Sequence, residues 1–331
     1  MDPMRIIFHG ENAASFSSGF AELVGPGADI RILPDGLGIG ADQQAYAQAD
    51  VIIGVKFDAS LPIPSGLKLF HVPGAGYDAV DLALLPAPAN VCNCFGHEQA
   101  IAEYVMSALL ARHIPLADAD AKLRRGDWAY WAGSPARVHG EIAGKTIGLL
   151  GFGHIGKAIA RRAKAFEMKV HVANRSAVPI SDLVDRAFTL DRLEEFWGSA
   201  DAIVVSVPLT PETNGLVGAA AFAAMRRDAL IFNVGRGPTI DETALFEALK
   251  DKRIGGAVID TWYRYPSAAA ANPLPSELPF HELPNIVMTP HMSGWTSGTI
   301  WRRQQTIADN IKRSFAGEPL VNLVREARQT A

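Results

Sequence analysis

Short apolar runs recur along the chain, separated by polar and glycine-rich stretches. Residues 5–8, 29–33, 50–55 and 67–72 are each rich in Ile, Val, Leu or Phe and too short for a helix, so they predict buried strands. A glycine-rich turn at 73–78 follows the fourth run. Ile101, Val105, Leu109 and Leu110 recur at helical spacing and predict a helix from about Glu98 to Leu116. Residues 118–140 read as loop. The rhythm then restarts, with strands expected at 145–150, 169–173, 202–207, 230–234, 257–260 and 285–289 and helices in most of the gaps. This alternation predicts α/β layers with parallel sheets. The tail, 301–315, reads as a helix that returns to the first domain. The expected organisation is a discontinuous first domain, 1–112 plus 300–331, and a second domain, 113–299. No internal repeat is visible, and the Ala-rich patch 267–271 reads as an insertion.

Length supports the division, because 331 residues exceed the roughly 250–300 that one core usually holds. The net charge is −4 with basic residues dispersed, so no nucleic-acid partner is expected. No window approaches the roughly 20 apolar residues of a membrane span, so no membrane partner is expected either. Cys92 and Cys94 stand one residue apart. That spacing suits neither an ordinary disulfide nor, without a second pair, a zinc site. They read as buried reduced thiols, and no metal is expected. With no basic, apolar leader at the start, the expected location is cytoplasmic.

The strand at 145–150 runs into Gly151-Phe-Gly153-His154-Ile155-Gly156 and then an amphipathic helix. Glycines at this spacing, between a strand and a helix, predict a dinucleotide cradle. Gly151 permits the tight turn, Gly153 lets the backbone approach a pyrophosphate, and Gly156 lets helix and strand pack closely. The helix start adds free N–H groups and a partial positive charge. About 20 residues on, an NAD enzyme usually carries an acid that binds the ribose 2′-hydroxyl. This chain has Asn174-Arg175-Ser176 there. Arg175 suits a 2′-phosphate, so NADP(H) is expected as cofactor ahead of NAD(H).

Polar residues also gather at the predicted strand ends: Val207-Pro208-Leu-Thr, Asn233-Val234-Gly235-Arg236, Asp260-Thr and Thr289-Pro-His291. In open α/β sheets ligands sit beyond these ends. A histidine titrates near neutrality and suits proton transfer to a carbonyl oxygen. An arginine fork suits a carboxylate and polarises the adjacent carbonyl. Arg236 and His291 therefore read as catalytic residues of a reductase acting on a small 2-oxo acid.

These segments, with Pro208–Thr213 and Thr289–Gly294, resemble the D-isomer-specific 2-hydroxyacid dehydrogenases over nearly the whole chain. The resemblance implies two Rossmann-like, doubly wound parallel-sheet domains, one flavodoxin-like and one dinucleotide-binding, with a cleft between them. It implies a homodimer and a small anionic 2-oxo or 2-hydroxy acid as partner, of the glyoxylate or hydroxypyruvate type. It makes Arg236 the substrate-orienting arginine, His291 the general acid/base and Asp260 the acid that meets the nicotinamide carboxamide. Gly74, Ala75 and Gly76 would hold the substrate carboxylate. Apart from the resemblance, Lys56, at the end of the third predicted strand, reads as an extra anion contact. Cofactor contacts are expected from Gly151, Gly153, His154, Ile155, Gly156, Asn174, Arg175, Ser176, Val207, Pro208, Thr213, Val234, Gly235, Asp260 and Gly294.

One position departs from the family pattern, which places a Glu-Pro pair five residues after the aspartate to support the histidine. Counting forward from Asp260 reaches Tyr265, and counting back from His291 reaches Asn272. Glu277 or Glu282 on the insertion are further candidates. A neutral partner supports the imidazolium less well than a carboxylate, so a more acidic optimum for reduction is expected than in a Glu-containing relative. The departure also leaves room for two other readings: a dehydrogenase of formate or phosphite, and a dinucleotide-sensing scaffold without turnover. Trp262, Trp295 and Tyr77 are candidates for pocket walls or for core. His97-Glu98 reads as a capping pair rather than a metal site.

Overall fold

A computed structural model describes residues 3–38, 40–133, 135–267 and 270–327. Ala268 and Ala269 of the Ala-rich patch lie outside the described residues. The chain divides into two compact units, Met1–Gly96 with Thr296–Ala331, and His97–Trp295.

In the first unit β1 (Met4–His9), β2 (Ala28–Leu33), β3 (Val51–Gly54), β4 (Leu69–His71) and β5 (Asn90–Cys92) run parallel in the order 2-1-3-4-5. This is the flavodoxin-like order. A last strand, Leu323–Arg325, pairs antiparallel with β5. Neither β5 nor this strand was expected, because each is only three residues long and shows no alternation. Both faces of the sheet are covered. Ile6, Phe8, Val51 and Ile53 pack on one side and Ile7, Ile52 and Phe70 on the other, as suits its five parallel strands.

The second unit holds β6 (Thr146–Leu150), β7 (Lys169–Ala173), β8 (Arg186–Phe188), β9 (Ala202–Val205), β10 (Leu230–Asn233), β11 (Gly256–Ile259) and β12 (Ile286–Met288). Their spatial order is 8-7-6-9-10-11-12, all parallel. The order reverses between β6 and β9, which makes their carboxyl ends the switch point of a dinucleotide-binding sheet. Both units are thus doubly wound α/β domains.

Two boundaries differ from expectation. The helix Glu98–His113 belongs to the second unit, because Ile101, Val105, Met106 and Leu109 pack with Ile147, Leu149, Ala158 and Ile159. The tail helix begins at Ser297 rather than 301, since the Thr296 side chain caps it by accepting from Thr299 N–H at 3.2 Å. It packs Ile307, Ala308 and Ile311 into the first unit. The stretch expected as loop from 118 holds part of a helix, Leu116–Leu123, whose i,i+4 pairs join Asp118 to Lys122 and Asp120 to Arg124. Among the described residues no helix is long and apolar enough to cross a membrane. Cys92 and Cys94 are buried free thiols, and burial pushes both pKa values up to about 12.

One buried polar set ties the tail helix to the end of β4. His71 Nδ1–H donates to the Val72 carbonyl (3.1 Å), and its Nε2 accepts from Asn310 Nδ2 (3.0 Å). Asn310 also donates to the Val321 carbonyl (2.9 Å) and accepts from its N–H (2.8 Å). Burial pushes the His71 pKa down to about 4. An unfolded chain binds this proton more readily, near pH 6.5. The stability from neutral His71 is therefore full above about pH 6.5 and is lost as pH falls toward 4, about 3 kcal/mol in all. Urea unfolding at pH 7.5 and pH 4.5 tests this: His71→Gln is expected to lose clearly less stability over that interval than the parent, and equal losses would refute it.

Candidate active site

The cradle is built by local backbone. Gly151 follows β6 with φ +98°, a conformation that favours glycine. Its N–H donates to the Ala173 carbonyl at 2.9 Å. A Cβ at Gly156 would strike the Gly151 carbonyl oxygen, so the helix His154–Ala165 approaches this closely only with glycine there. A Cβ at Gly153 would meet no atom within 4 Å, so this side of the loop is open. The first turn of the helix carries no acid, and the first N–H groups of any α-helix point out of its start rather than into its own ladder. An anionic pyrophosphate fits this arrangement.

At the end of β7, Asn174 Oδ1 accepts from the Phe152 N–H (3.2 Å) and Nδ2 donates to the Ser176 carbonyl (3.0 Å). Asn174 therefore braces the glycine loop. Arg175 and Ser176 are exposed beside it. The Thr210 hydroxyl, with Arg175 adding its charge, holds the Glu212 carboxyl below its usual range, so the loop after β9 lies within electrostatic reach of Arg175. That loop is self-supporting: the Thr213 hydroxyl donates to the Pro208 carbonyl (2.6 Å) and accepts from the Thr210 N–H (2.8 Å).

Three strand ends meet through missing side chains. A Cβ on Gly151 would come within 3.1 Å of Val207 Cγ1, and one on Gly235 within 2.7 Å of the Val207 carbonyl oxygen. A Cβ on Gly237 would fall on the Trp262 backbone. Val234 is buried, its N–H bonded to the Val205 carbonyl (3.1 Å). Asn233, which sequence reasoning did not single out as a site residue, clamps the turn that carries Arg236. Its Oδ1 accepts from Gly235 N–H (3.1 Å) and its Nδ2 donates to the Arg236 carbonyl (3.0 Å), which also accepts from the Thr239 hydroxyl (2.6 Å).

Asp260 follows β11 and is completely buried. Oδ1 accepts from the Thr289 hydroxyl (2.6 Å) and the Met292 N–H (2.9 Å), and Oδ2 from the Ser293 N–H (3.0 Å). Its hydrogen bonds thus run to the turn around His291, whereas the resemblance gave it to the nicotinamide carboxamide. His291 has φ +58°, a left-handed conformation that costs a non-glycine residue about 1–2 kcal/mol. The carboxylate bonds, about 1.5–3 kcal/mol each, offset that strain. Trp262 Nε1 donates to the Thr289 carbonyl (2.8 Å). The single hydroxyl hydrogen of Thr289 goes to Asp260, so Tyr104 donates to Thr289 Oγ1 at 2.7 Å. Tyr104 is a second positioning residue that the sequence pattern did not mark. Gly294 lies close to the helix 98–113, where a Cβ would meet His97 at 3.2 Å.

The structure decides between the two counts for the partner of His291. The Tyr265 hydroxyl lies 2.9 Å from His291 Nδ1 and accepts from the Trp262 N–H at 3.2 Å. Burial raises the Tyr265 pKa, against the Trp262 N–H and the charge of Arg236. Asn272 is exposed. Glu277 pairs with Arg264 at 3.5 Å, and Glu282 lies 3.9 Å from His281. Trp262 is buried against Phe280, while Trp295 and Tyr77 are exposed.

In the first unit, the loop 73–76 is held by its carbonyls. Pro73 accepts from Arg303 (3.0 Å), Gly74 from the Cys94 N–H (3.0 Å) and Ala75 from Asn93 (2.7 Å). Among the described residues none accepts from the N–H groups of Gly74, Ala75 or Gly76. Successive N–H groups left in this way suit an anion. Lys56 is exposed and paired with Asp58 at 2.8 Å.

The fold and this site define a two-domain dehydrogenase with a dinucleotide-binding unit. The family model described as D-isomer specific 2-hydroxyacid dehydrogenase, NAD binding domain, matches residues 106–293. The chain is 33% identical to a glycerate dehydrogenase of Methylorubrum extorquens over 81% of this chain and 82% of that protein. It is 31% identical to a glyoxylate/hydroxypyruvate reductase B of Citrobacter koseri over 85% and 86%. The solved structure of an NADPH-dependent glyoxylate/hydroxypyruvate reductase from Sinorhizobium meliloti, in complex with NADP and sulfate, is similar with TM-score 0.77 and 25% identity, covering 98% of each chain. The chain therefore belongs to the D-isomer specific 2-hydroxyacid dehydrogenases, oxidoreductases that bind a nicotinamide dinucleotide.

Asp260→Asn leaves an amide facing backbone N–H donors. It is expected to lower the unfolding free energy by about 2 kcal/mol; an unchanged urea midpoint would show that the carboxylate does not hold this turn.

Proposed function

We propose that this protein is an NADP(H)-dependent reductase that interconverts a small 2-oxo acid, of the glyoxylate or hydroxypyruvate type, with its D-2-hydroxy acid. The observation that carries the reading is the set Arg236, Tyr265 and His291. It joins a cation, a hydroxyl and an imidazole at the strand ends of the sheet that carries the phosphate cradle.

NADPH, when bound, supplies the hydride. Gly151, Gly153 and Gly156, with the N–H groups of His154 and Ile155, hold its pyrophosphate. Arg175 and Ser176 take the 2′-phosphate, with no acid at that position to repel it. Val207, Pro208, Thr213, Val234, Gly235 and Gly294 line the rest of the cofactor path. The loop 74–76 takes the substrate carboxylate through its N–H groups, with Lys56 as a peripheral cation. Arg236 orients the 2-oxo acid and polarises its carbonyl. His291 gives a proton to the carbonyl oxygen from Nε2, since Nδ1 faces Tyr265.

The uncharged partner of His291 favours one second reading, a dehydrogenase of formate or phosphite, and a substrate panel separates the two. The chain is further proposed to form a homodimer in the cytoplasm. Exposed Leu116, Leu123, Trp128, Trp131 and Val138 suit a subunit contact, and buried free thiols suit a reducing compartment.

Nicotinamide absorbance with glyoxylate and hydroxypyruvate tests the main reading. Oxidation of NADPH well ahead of NADH is expected. Arg175→Ala is expected to lower kcat/KM for NADPH about 10–100-fold, the loss of one or two charge-assisted bonds, with little effect for NADH. Equal loss with both cofactors would sever Arg175 from the 2′-phosphate. His291→Ala is expected to lower kcat about 10²–10⁴-fold while cofactor binding persists. A parent protein that binds NADPH but reduces neither acid would overturn the reductase and favour a sensing scaffold.

A further inference from the structure

We propose that Tyr265 is the positioning residue for His291, its hydroxyl holding the neutral imidazole in the tautomer that carries its proton on Nε2. The inference deepens the reductase reading and rests on it for its catalytic consequence, but the tautomer can be read without turnover.

A phenol has one hydrogen and accepts through its lone pairs. The Trp262 N–H already donates to the Tyr265 oxygen at 3.2 Å, and that oxygen lies 2.9 Å from His291 Nδ1. That oxygen keeps a second lone pair, but among the described residues Nδ1 is the acceptor within reach of its single hydrogen, so the phenol donates to Nδ1 of the neutral ring. Neutral His291 then carries its own hydrogen on Nε2, the nitrogen that does not face Tyr265. The two rings are tilted by 54° with centroids 5.7 Å apart, so the contact is made through the hydroxyl rather than by stacking.

The groups around the pair bear on its charge. Arg236, after β10, acts on Tyr265 and works against the rise in its pKa that burial causes. Asp260, after β11, has both oxygens engaged by Thr289, Met292 and Ser293. His97, at the start of the helix 98–113, stands by Gly294, three residues beyond His291. The direct partner of Nδ1 is thus neutral. When His291 takes a second proton, the phenol can turn and accept from Nδ1–H, but it adds no negative charge. A carboxylate would favour the imidazolium, whereas the hydroxyl serves both protonation states. The role of Tyr265 is therefore to set ring orientation and tautomer.

Long-range ¹H–¹⁵N correlation spectra of the full-length protein test this, with His291→Gln identifying the signals. The parent is expected to show His291 protonated on Nε2 with a hydrogen-bonded Nδ1. Tyr265→Phe is expected to mix the tautomers without moving the titration midpoint much, and in turnover to lower kcat about tenfold with KM for the 2-oxo acid nearly unchanged. Tyr265→Glu is expected to raise the His291 midpoint, and with it the alkaline limb of the reduction profile, by about one pH unit or more. A parent His291 protonated on Nδ1, or a midpoint that ignores Tyr265→Glu, would overturn the proposal. Absent turnover with the expected tautomer intact would count against the reductase reading and not against the hydrogen bond.

Discussion

The buried carboxylate of Asp260 is the interaction on which the rest of the site depends. It draws together the end of β11 and the turn after β12 by accepting one hydroxyl and two backbone N–H groups. The residue inside that turn, His291, holds a left-handed conformation that a free chain would leave. The indole of Trp262 and the phenol of Tyr104 meet the same turn at Thr289. A strained histidine persists because the surroundings over-determine it, and here the determinants reach its turn from the segment after β11 and from the helix Glu98–His113.

The glycines of the dinucleotide-binding unit serve close approach more than flexibility. Gly235 and Gly237 are needed because backbone of a neighbouring segment lies where a side chain would begin, and Gly156 because the Gly151 carbonyl does. The ends of β6, β9 and β10 thereby come close enough for one loop to brace the next. Asn174 and Asn233 do related work with amides: each accepts from one backbone N–H and donates to one carbonyl. An aspartate could accept in these places but could not donate, so the amide suits a turn that offers both groups.

In the first unit, stability and the loop 73–76 share one support. The tail helix supplies Arg303 to the carbonyls of Pro73 and Phe95, and Asn310 to the buried neutral His71. His71 ends β4, two residues before the loop begins. Protonating it would charge a dry site next to the segment that offers its N–H groups. The loop is pre-organised by a core contact rather than by its own sequence.

The chain by itself determined the two α/β units, the parallel strands that show an apolar run, the glycine turn between β6 and the helix that follows it, and the placing of Arg236, Asp260 and His291 at strand ends. These follow from periodicity and from glycine spacing, which act within a few residues. Asn90–Cys92 and Arg186–Phe188 stayed illegible because each holds only two apolar residues and no apolar run extends beyond it, unlike the equally short Leu69–His71 and Ile286–Met288. The membership of the helix Glu98–His113 depended on which core its apolar stripe covers, and spacing alone does not choose. Only the tertiary structure decided that Tyr265, and not Asn272, meets His291, and that Asp260 points at the histidine turn. Those contacts join residues 26 to 33 positions apart, across an insertion that makes counting from either end give a different answer, and only the path of the folded loop resolves it.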